Sequence, residues 1–324
     1  MRLIAKTSVM ALAALFLGSA AAQSAETLIM GTTGRGSAQQ WPIFIAQQKG
    51  YFAENNVILD LVAAPSSSAV VQQLAAGSIN IGSGGLADPL RAIDKGAPVT
   101  LLRVETQVPP YSVFGKVGLK SLKDLKGKLI SIGGVKDITR IYLERMMGPN
   151  GIAPAQYDLV FAGTAAARFS ALASGAVDAT ILVPPFSFKA EGAGYPNLGA
   201  LSDYVTDMPF TGYAVNIGWA KSHKPALVGF LQGVARGIDW FNNPANRTEA
   251  IDILVKESGA ERADIEKSYD YYLKIKIFDR VGLVENSQVK ILAEAMKSLG
   301  DLDGSTDVSR FVDPEIVELA KQVK

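Results

Sequence analysis

The chain has no cysteine and a single histidine among its 324 residues. The missing cysteine excludes disulfides, zinc–thiolate centres and cysteine nucleophiles, so stability rests on a conventional core. It also excludes the acylated cysteine that tethers a bacterial lipoprotein. One histidine without cysteines argues against a transition-metal site, and no metal or cofactor is expected. That histidine, His223, stands in Lys-Ser-His-Lys-Pro ahead of a helical pattern, and no Gly-x-Ser-x-Gly elbow accompanies it, so a hydrolytic triad lacks its parts. An excess of either charge is missing too, since 32 Lys and Arg face 31 Asp and Glu. That balance leaves no footprint for a nucleic acid or an anionic membrane surface. The five lysines from Lys116 to Lys128 are broken up by Asp124, Leu119, Leu122 and Leu125, as on a solvated segment. No apolar run approaches the roughly 20 residues of a spanning helix.

What is present begins with a targeting pattern. Arg2 and Lys6 precede the apolar run Val9 to Leu17, and Ala20-Ala21-Ala22 offers small residues for cleavage before Gln23 or Glu26. Residues 1–25 are therefore expected to be a signal peptide. An exported chain with no lipid anchor points to free diffusion in a Gram-negative periplasm. Without Arg2 and Lys6 the basic count falls from 32 to 30 against 31 acids.

From Thr27 short β-rich runs alternate with helical patterns, as a mostly parallel sheet with crossover helices requires. Residues 74–81 (Leu-Ala-Ala-Gly-Ser-Ile-Asn-Ile) and 172–179 (Leu-Ala-Ser-Gly-Ala-Val-Asp-Ala) are near-copies of one device. In each, a helix ends at Gly77 or Gly175 in the left-handed turn that glycine favours, and a short strand comes next. The first opens into Gly82-Ser83-Gly84-Gly85, the second into Pro184-Pro185. Strands are expected at 27–30, 56–62, 79–81, 99–104, 129–132, 157–161 and 179–183, with irregular crossings near 106–114 and 207–214. Beyond Gly218 the pattern is helical: Leu227, Phe230, Leu231, Val234 and Ile238 form one stripe, and Val289, Leu292, Met296 and Leu299 another. These helices are expected to return to the first lobe. The resulting α/β organisation has a first lobe of residues 26–110 and 213–324, a second lobe of 111–212, and paired crossings as a hinge.

Ala46-Gln-Gln-Lys-Gly-Tyr-Phe-Ala-Glu-Asn-Asn-Val57 resembles the A..KGYF...GV element of periplasmic solute-binding proteins of the nitrate, sulfonate and taurine class. That group includes binders of thiamine-pyrimidine precursors. Residues 74–81, Ser121-Leu-Lys-Asp-Leu-Lys-Gly-Lys128 and residues 172–179 resemble its other markers, in the same order. The resemblance covers nearly the whole chain after residue 25. It implies a two-lobed type II periplasmic-binding-protein fold, each lobe a mostly parallel sheet flanked by helices, that delivers a solute to an ATP-driven permease. One departure is local: Gly133-Gly134-Val135-Lys136 stands where many members carry Gly-Ser or Gly-Thr.

Ligands in open parallel sheets sit beyond the carboxyl ends of the strands. The loop 34–41 offers Arg35, Ser37 and Gln39 as donors and Trp41 as a flat wall. Ser67, Ser83 and Gly84 belong to loops that open helices, and Gly134, Asp137 and Thr164 to the corresponding loops of the second lobe. Helix N-termini suit an anion. Arg140 and Arg168 lie near two of them, where cations oppose the dipole unless an acid binds between them. Pro185, Phe186 and Tyr213 would suit an apolar ligand body. Glu105 closes a strand and could take a ligand amine or pair with a base. The segment Gly82 to Ala87 with Glu105 also fits a dinucleotide fingerprint, but it comes after the third strand instead of the first.

The expected function is an extracytoplasmic receptor, not an enzyme. It would act as a monomer that captures a small organic solute, with a sulfonate or carboxylate favoured, and presents it to the permease of an ABC importer. The alternative is a periplasmic enzyme or sensory subunit acting on a heterocyclic or other small metabolite.

Overall fold

The computed structural model describes residues 25–33 and 37–323. The expected signal segment up to residue 24, and Arg35, lie outside the described residues. Among the described residues no helix is long and apolar enough to cross a membrane.

Among the described residues, ten strands form two five-stranded sheets. The first holds β1 (Glu26–Thr33), β2 (Val57–Ala64), β3 (Ile81–Gly85), β4 (Val99–Thr106) and β10 (Thr211–Asn216), in the order β2-β1-β3-β10-β4. The second holds β5 (Ser112–Gly115), β6 (Leu129–Ile132), β7 (Asp158–Phe161), β8 (Ala179–Leu182) and β9 (Asn197–Ala200), in the order β7-β6-β8-β5-β9. Both sheets are mixed, where the alternating pattern predicts mostly parallel ones. β1 pairs parallel with β2 and β3, and β6 with β7 and β8. β10 runs antiparallel to β3 and β4, and β5 antiparallel to β8 and β9. The cause is topological: the chain leaves the first sheet along β4 and returns along β10, so these neighbours must run in opposite directions.

The repeated device is present in both sheets. Ser66 caps α2 (Ser67–Ala75), which buries Val70, Val71 and Leu74. Thr164 caps α5 (Ala165–Ala173), which buries Leu172. Gly77 and Gly175 come after them with φ near +75°. A Cβ at either would meet nothing within 4 Å, so the left-handed backbone alone requires glycine there. Each segment then enters the middle of its sheet, at β3 or β8.

The first sheet packs with α1 (Trp41–Gln48), α8 (Lys224–Asn242), α9 (Arg247–Ser258), α10 (Arg262–Ile275) and α12 (Pro314–Ala320) around one apolar cluster. Short α7 (Ile217–Ser222) leads into α8. The second sheet carries α4 (Ile138–Met147) and α6 (Phe186–Gly192), and α3 (Ala87–Asp94) lies beside β4. Val289, Leu292 and Met296 of α11 (Asn286–Ser298) share a second cluster with Leu86 and Leu90 near the first sheet and Ile141 and Met146 of α4. The edge of β4 is closed by the C-terminal segment, because the Leu101 and Val104 amides donate to the Phe311 and Gly282 carbonyls at 3.1 and 2.9 Å. Where the crossings meet, the Thr106 and Thr211 hydroxyls lie 2.6 Å apart and the Thr211 amide donates to Thr106 Oγ1 at 3.1 Å.

Candidate functional site between the sheets

A cavity of about 200 Å³ lies between the carboxyl ends of the two sheets. The first sheet's side contributes Ser37, Gln39, Pro65, Ser66, Ser67, Gly84 and Gly85. The second contributes Gly133, Asp137, Ile138, Gly163, Thr164, Arg168, Val183, Pro184 and Phe186, and the crossings add Tyr111, Phe210 and Thr211. The two sides touch at the rim, since a Cβ on Gly163 would lie 3.4 Å from the Pro65 carbonyl.

Three α-helices with side-chain caps begin at this cavity. Ser66 Oγ accepts from the Ala69 amide at 3.2 Å, Asp137 Oδ1 from the Thr139 amide at 2.9 Å, and Thr164 Oγ1 from the Ala167 amide at 3.2 Å. Each cap satisfies one first-turn amide; in α4 the Arg140 amide also bonds to the Asp137 carbonyl at 2.9 Å, and the remaining first-turn amides have no intrahelical acceptor. The N-terminal ends of α2, α4 and α5, each carrying about half a positive charge, therefore converge on one space. Gly84 keeps that space open, because a Cβ there would meet Ser67 Oγ at 2.7 Å.

Arg168 supplies a full charge on the second-sheet side. Its residue is 4% exposed, with Nε donating to the Ile181 carbonyl at 2.9 Å and Nη1 to the Gly163 carbonyl at 2.6 Å. These two bonds hold the guanidinium in place before any ligand arrives. Burial raises the Tyr111 hydroxyl well above its ordinary range against the opposing pull of Arg168, so the ring presents a neutral hydroxyl. Asp137 brings a carboxylate to the same wall. Behind Ser67, burial and then the Asp137 charge push the Asp88 carboxyl up to about 6, against the pull of Arg91.

Of the residues singled out by sequence, the structure brings Ser37, Gln39, Ser67, Gly84, Asp137, Thr164, Arg168 and Phe186 together on this cavity. Gly134 and Pro185 stand one residue away from Gly133 and Pro184, which line it. Five candidates require correction. Trp41 is fully buried, donates Nε1–H to the Ala250 carbonyl at 2.7 Å, and packs edge-on against Phe241, Tyr269 and Tyr272. It is a core residue because α1 turns this face to α9. Glu105 and Tyr213 are buried and bonded to each other, the hydroxyl donating to the carboxyl. Burial pushes Glu105 up to about 7, opposed by Tyr213 and Arg103. Ser83 is buried on the same face and accepts from Gln40 Nε2 at 3.2 Å. Strand alternation turns all three away from the cleft. Arg140 pairs with Glu144 at 2.9 Å one helical turn along and donates to the Val135 carbonyl; it is not among the cavity's residues.

Tyr111 lines the cavity without having been singled out by sequence, whereas Val183, Pro184 and Thr211 fall in stretches the sequence marks: the end of the strand at 179–183, the Pro184-Pro185 loop and the crossing near 207–214. The signal for Tyr111 is its place directly after Pro109-Pro110, where an irregular crossing must pass beneath any ligand held between lobes.

The family described as NMT1/THI5 like matches residues 37–247, more than half of the chain. Among curated proteins, the 4-amino-5-hydroxymethyl-2-methylpyrimidine phosphate synthase THI12 of Saccharomyces cerevisiae is 29% identical over 143 residues, 43% of this chain and 41% of that protein. The chain thus spans about two fifths of the length of this relative. This finding corrects the expectation of a chain that is no enzyme, for the relative carries an enzyme's name. Among solved structures, the alkanesulfonate-binding protein SsuA of Xanthomonas axonopodis pv. citri, bound to MOPS, superposes with a TM-score of 0.76 at 19% identity, covering 90% of this chain and 99% of that one. The periplasmic nitrate-binding protein NrtA of Synechocystis PCC 6803 gives 0.74 at 14% identity, covering 91% and 88%. The fold is that of periplasmic binding proteins, and the chain belongs to the NMT1/THI5-like family.

Proposed function

We propose that the cleft captures a small organic anion, with the sulfonate, carboxylate or phosphate group at the converging starts of α2, α4 and α5 and beside Arg168. The observation that carries this reading is that convergence together with a buried, pre-oriented guanidinium lining the same space. A cavity of about 200 Å³ is smaller than the roughly 300–1,000 Å³ of sites for drug-sized ligands, which favours a compact solute. Ile138, Val183, Phe186 and Phe210 supply apolar walls for its body. The two lobes, residues 26–110 with 213–324 and residues 111–212, would close on it by rotation at the crossings. The protein would act as a periplasmic monomer that presents its solute to the permease of an ABC importer. SsuA and NrtA, named as binding proteins for anions, support that role by fold.

A second reading has its own support in the synthase name of the sequence relative. A pyrimidine phosphate also carries an anion, on a flat aromatic ring whose faces suit apolar walls, so both readings place the anionic group in the same part of the cleft. They separate by the fate of the bound molecule. A thermal-shift screen of sulfonates, carboxylates and pyrimidine phosphates should find stabilising ligands, by about 2.7 kcal/mol at a hundredfold excess over Kd. A sulfonate or carboxylate recovered unchanged after long incubation supports capture for transport; pyrimidine phosphate that forms in proportion to the protein supports the synthase reading. Failure of every anion to stabilise the protein would overturn both.

A further inference from the structure

One polar knot joins the two lobes outside the ligand cavity. Arg91, in the last turn of α3, donates Nη1–H to Asp88 Oδ1 at 2.7 Å and Nη2–H to the Lys136 carbonyl at 2.5 Å. Nη2 also lies 3.4 Å from Asp301 Oδ2, just beyond α11. Asp88 belongs to α3 beside the first sheet, whereas the Lys136 carbonyl belongs to the loop before α4 in the second lobe. That loop carries Gly133 and Asp137, both of which line the cavity. Asp88 and Asp301 are 6% and 5% exposed, so the carboxylate side of the knot is shut off from water, while the bond to the Lys136 carbonyl lies at the surface.

We infer that Arg91 is a positioning residue that clamps the Gly133–Asp137 loop of the second lobe onto the first, and that protonation of Asp88 favours the clamped arrangement. The inference rests on the cleft being the capture site and concerns how its second wall is set. The charge count supplies the coupling. One guanidinium serves the carboxylates of Asp88 and Asp301, and in this arrangement Asp137 stands within repelling reach of Asp88 across the lobes. The charged groups facing Asp88 are thus Arg91 on its own helix, Asp137 at the head of α4 and, through Arg91, Asp301. From α2 it receives only the neutral Ser67 hydroxyl, and β4 contributes apolar Leu101 and Val104 to the cluster that includes Leu90 of α3. A proton on Asp88 removes the repulsion across the lobes, while Arg91 keeps its Nη2 bond to the Lys136 carbonyl. Burial already pushes the Asp88 carboxyl up to about 6, close to the range where such a proton is exchanged.

The experiment needs no ligand. Because the chain has no cysteine, spin labels can be placed solely at Ile58→Cys on β2 and Val117→Cys after β5, positions 50% and 77% exposed. Their distance distribution is read by pulsed electron resonance at pH 5 and pH 8. The ratio of short to long distances should rise several-fold at pH 5, approaching the roughly tenfold limit that one pKa unit of linkage to closure sets. Asp88→Asn should hold the short population at both pH values, and Arg91→Gln should lose it at both. A ratio that does not move with pH, or moves equally in Asp88→Asn, overturns the inference. Should Arg91→Gln fail to fold, the near-isosteric Asp88→Asn comparison carries the test alone. A failed anion screen would overturn the proposed function and leave these distances unaffected.

Discussion

Replacing Glu105 with glutamine removes a charge that the fold must otherwise carry at neutral pH and above. The Glu105 carboxyl is fully buried at the end of β4, with the Tyr213 hydroxyl on Oε1 and no partner at Oε2. Burial raises its pKa from 4.5 to about 7, and the Tyr213 hydrogen bond and Arg103 pull only partly the other way. A folded-state value above the unfolded one means that the folded protein holds the proton more tightly. The stabilisation is therefore complete below the unfolded value of 4.5 and is lost as the pH rises through about 7. At about 1.4 kcal/mol per pKa unit, the loss across that window is about 3 kcal/mol. Glutamine keeps an oxygen for the Tyr213 hydroxyl and cannot ionise. Urea unfolding of both proteins at pH 5, 6, 7 and 8 measures the difference directly, provided the denaturant slope stays the same. The variant should gain on the parent protein as the pH rises, by about 2–3 kcal/mol between the extremes. A stability difference that is flat across this range would refute the reasoning. Glu105 would then titrate as a solvated carboxyl, and it would have to be restored to the cleft.

Arg168→Met should weaken the best anionic ligand by roughly thirtyfold or more in calorimetric titration, the usual cost of deleting one partner of a buried charged contact. Binding within threefold of the parent protein would contradict the role given to that guanidinium. Arg140→Ala should leave the same affinity within twofold, because its charge is spent on Glu144 outside the cavity. Trp41→Ala should cost about 3–5 kcal/mol in urea unfolding, as expected for emptying an aromatic core site. A loss below 1 kcal/mol would return the indole to the cleft. Ser66→Ala should lower stability by about 1 kcal/mol through loss of the α2 cap, and it should weaken anion binding if the capped turn holds the ligand.

Much of the fold is legible in the sequence because the signals are local. The strand at 129–132 agrees to the residue, and α5 and β8 are marked by the glycine that ends one and the apolar run that starts the other. β5, β9 and β10 leave no such mark. Each is antiparallel to its neighbours and at or near a crossing, where direction is imposed by the chain's path between lobes and leaves no period in the sequence. The cavity is legible where a residue opens a helix, as at Ser67, Asp137 and Thr164, since capping is written in residue type and spacing. It is not legible where orientation decides. Ser83, Tyr213 and Glu105 are at the correct end of their strands but on the face turned to the helices. Trp41 fails for the same reason, on the face of α1 that meets α9. A sequence places such a residue near a cleft well before it says which way the side chain turns.

The central claim is that one anionic group sits where three helices begin. A crystal structure of the protein with the tightest-binding solute from the screen tests it most directly. The account predicts the acid group within hydrogen-bond distance of first-turn amides of α2, α4 or α5, with Arg168 beside it and Phe186 or Phe210 against the body of the solute. A solute held elsewhere on the molecule, or a neutral or cationic group at these helix ends, would contradict it.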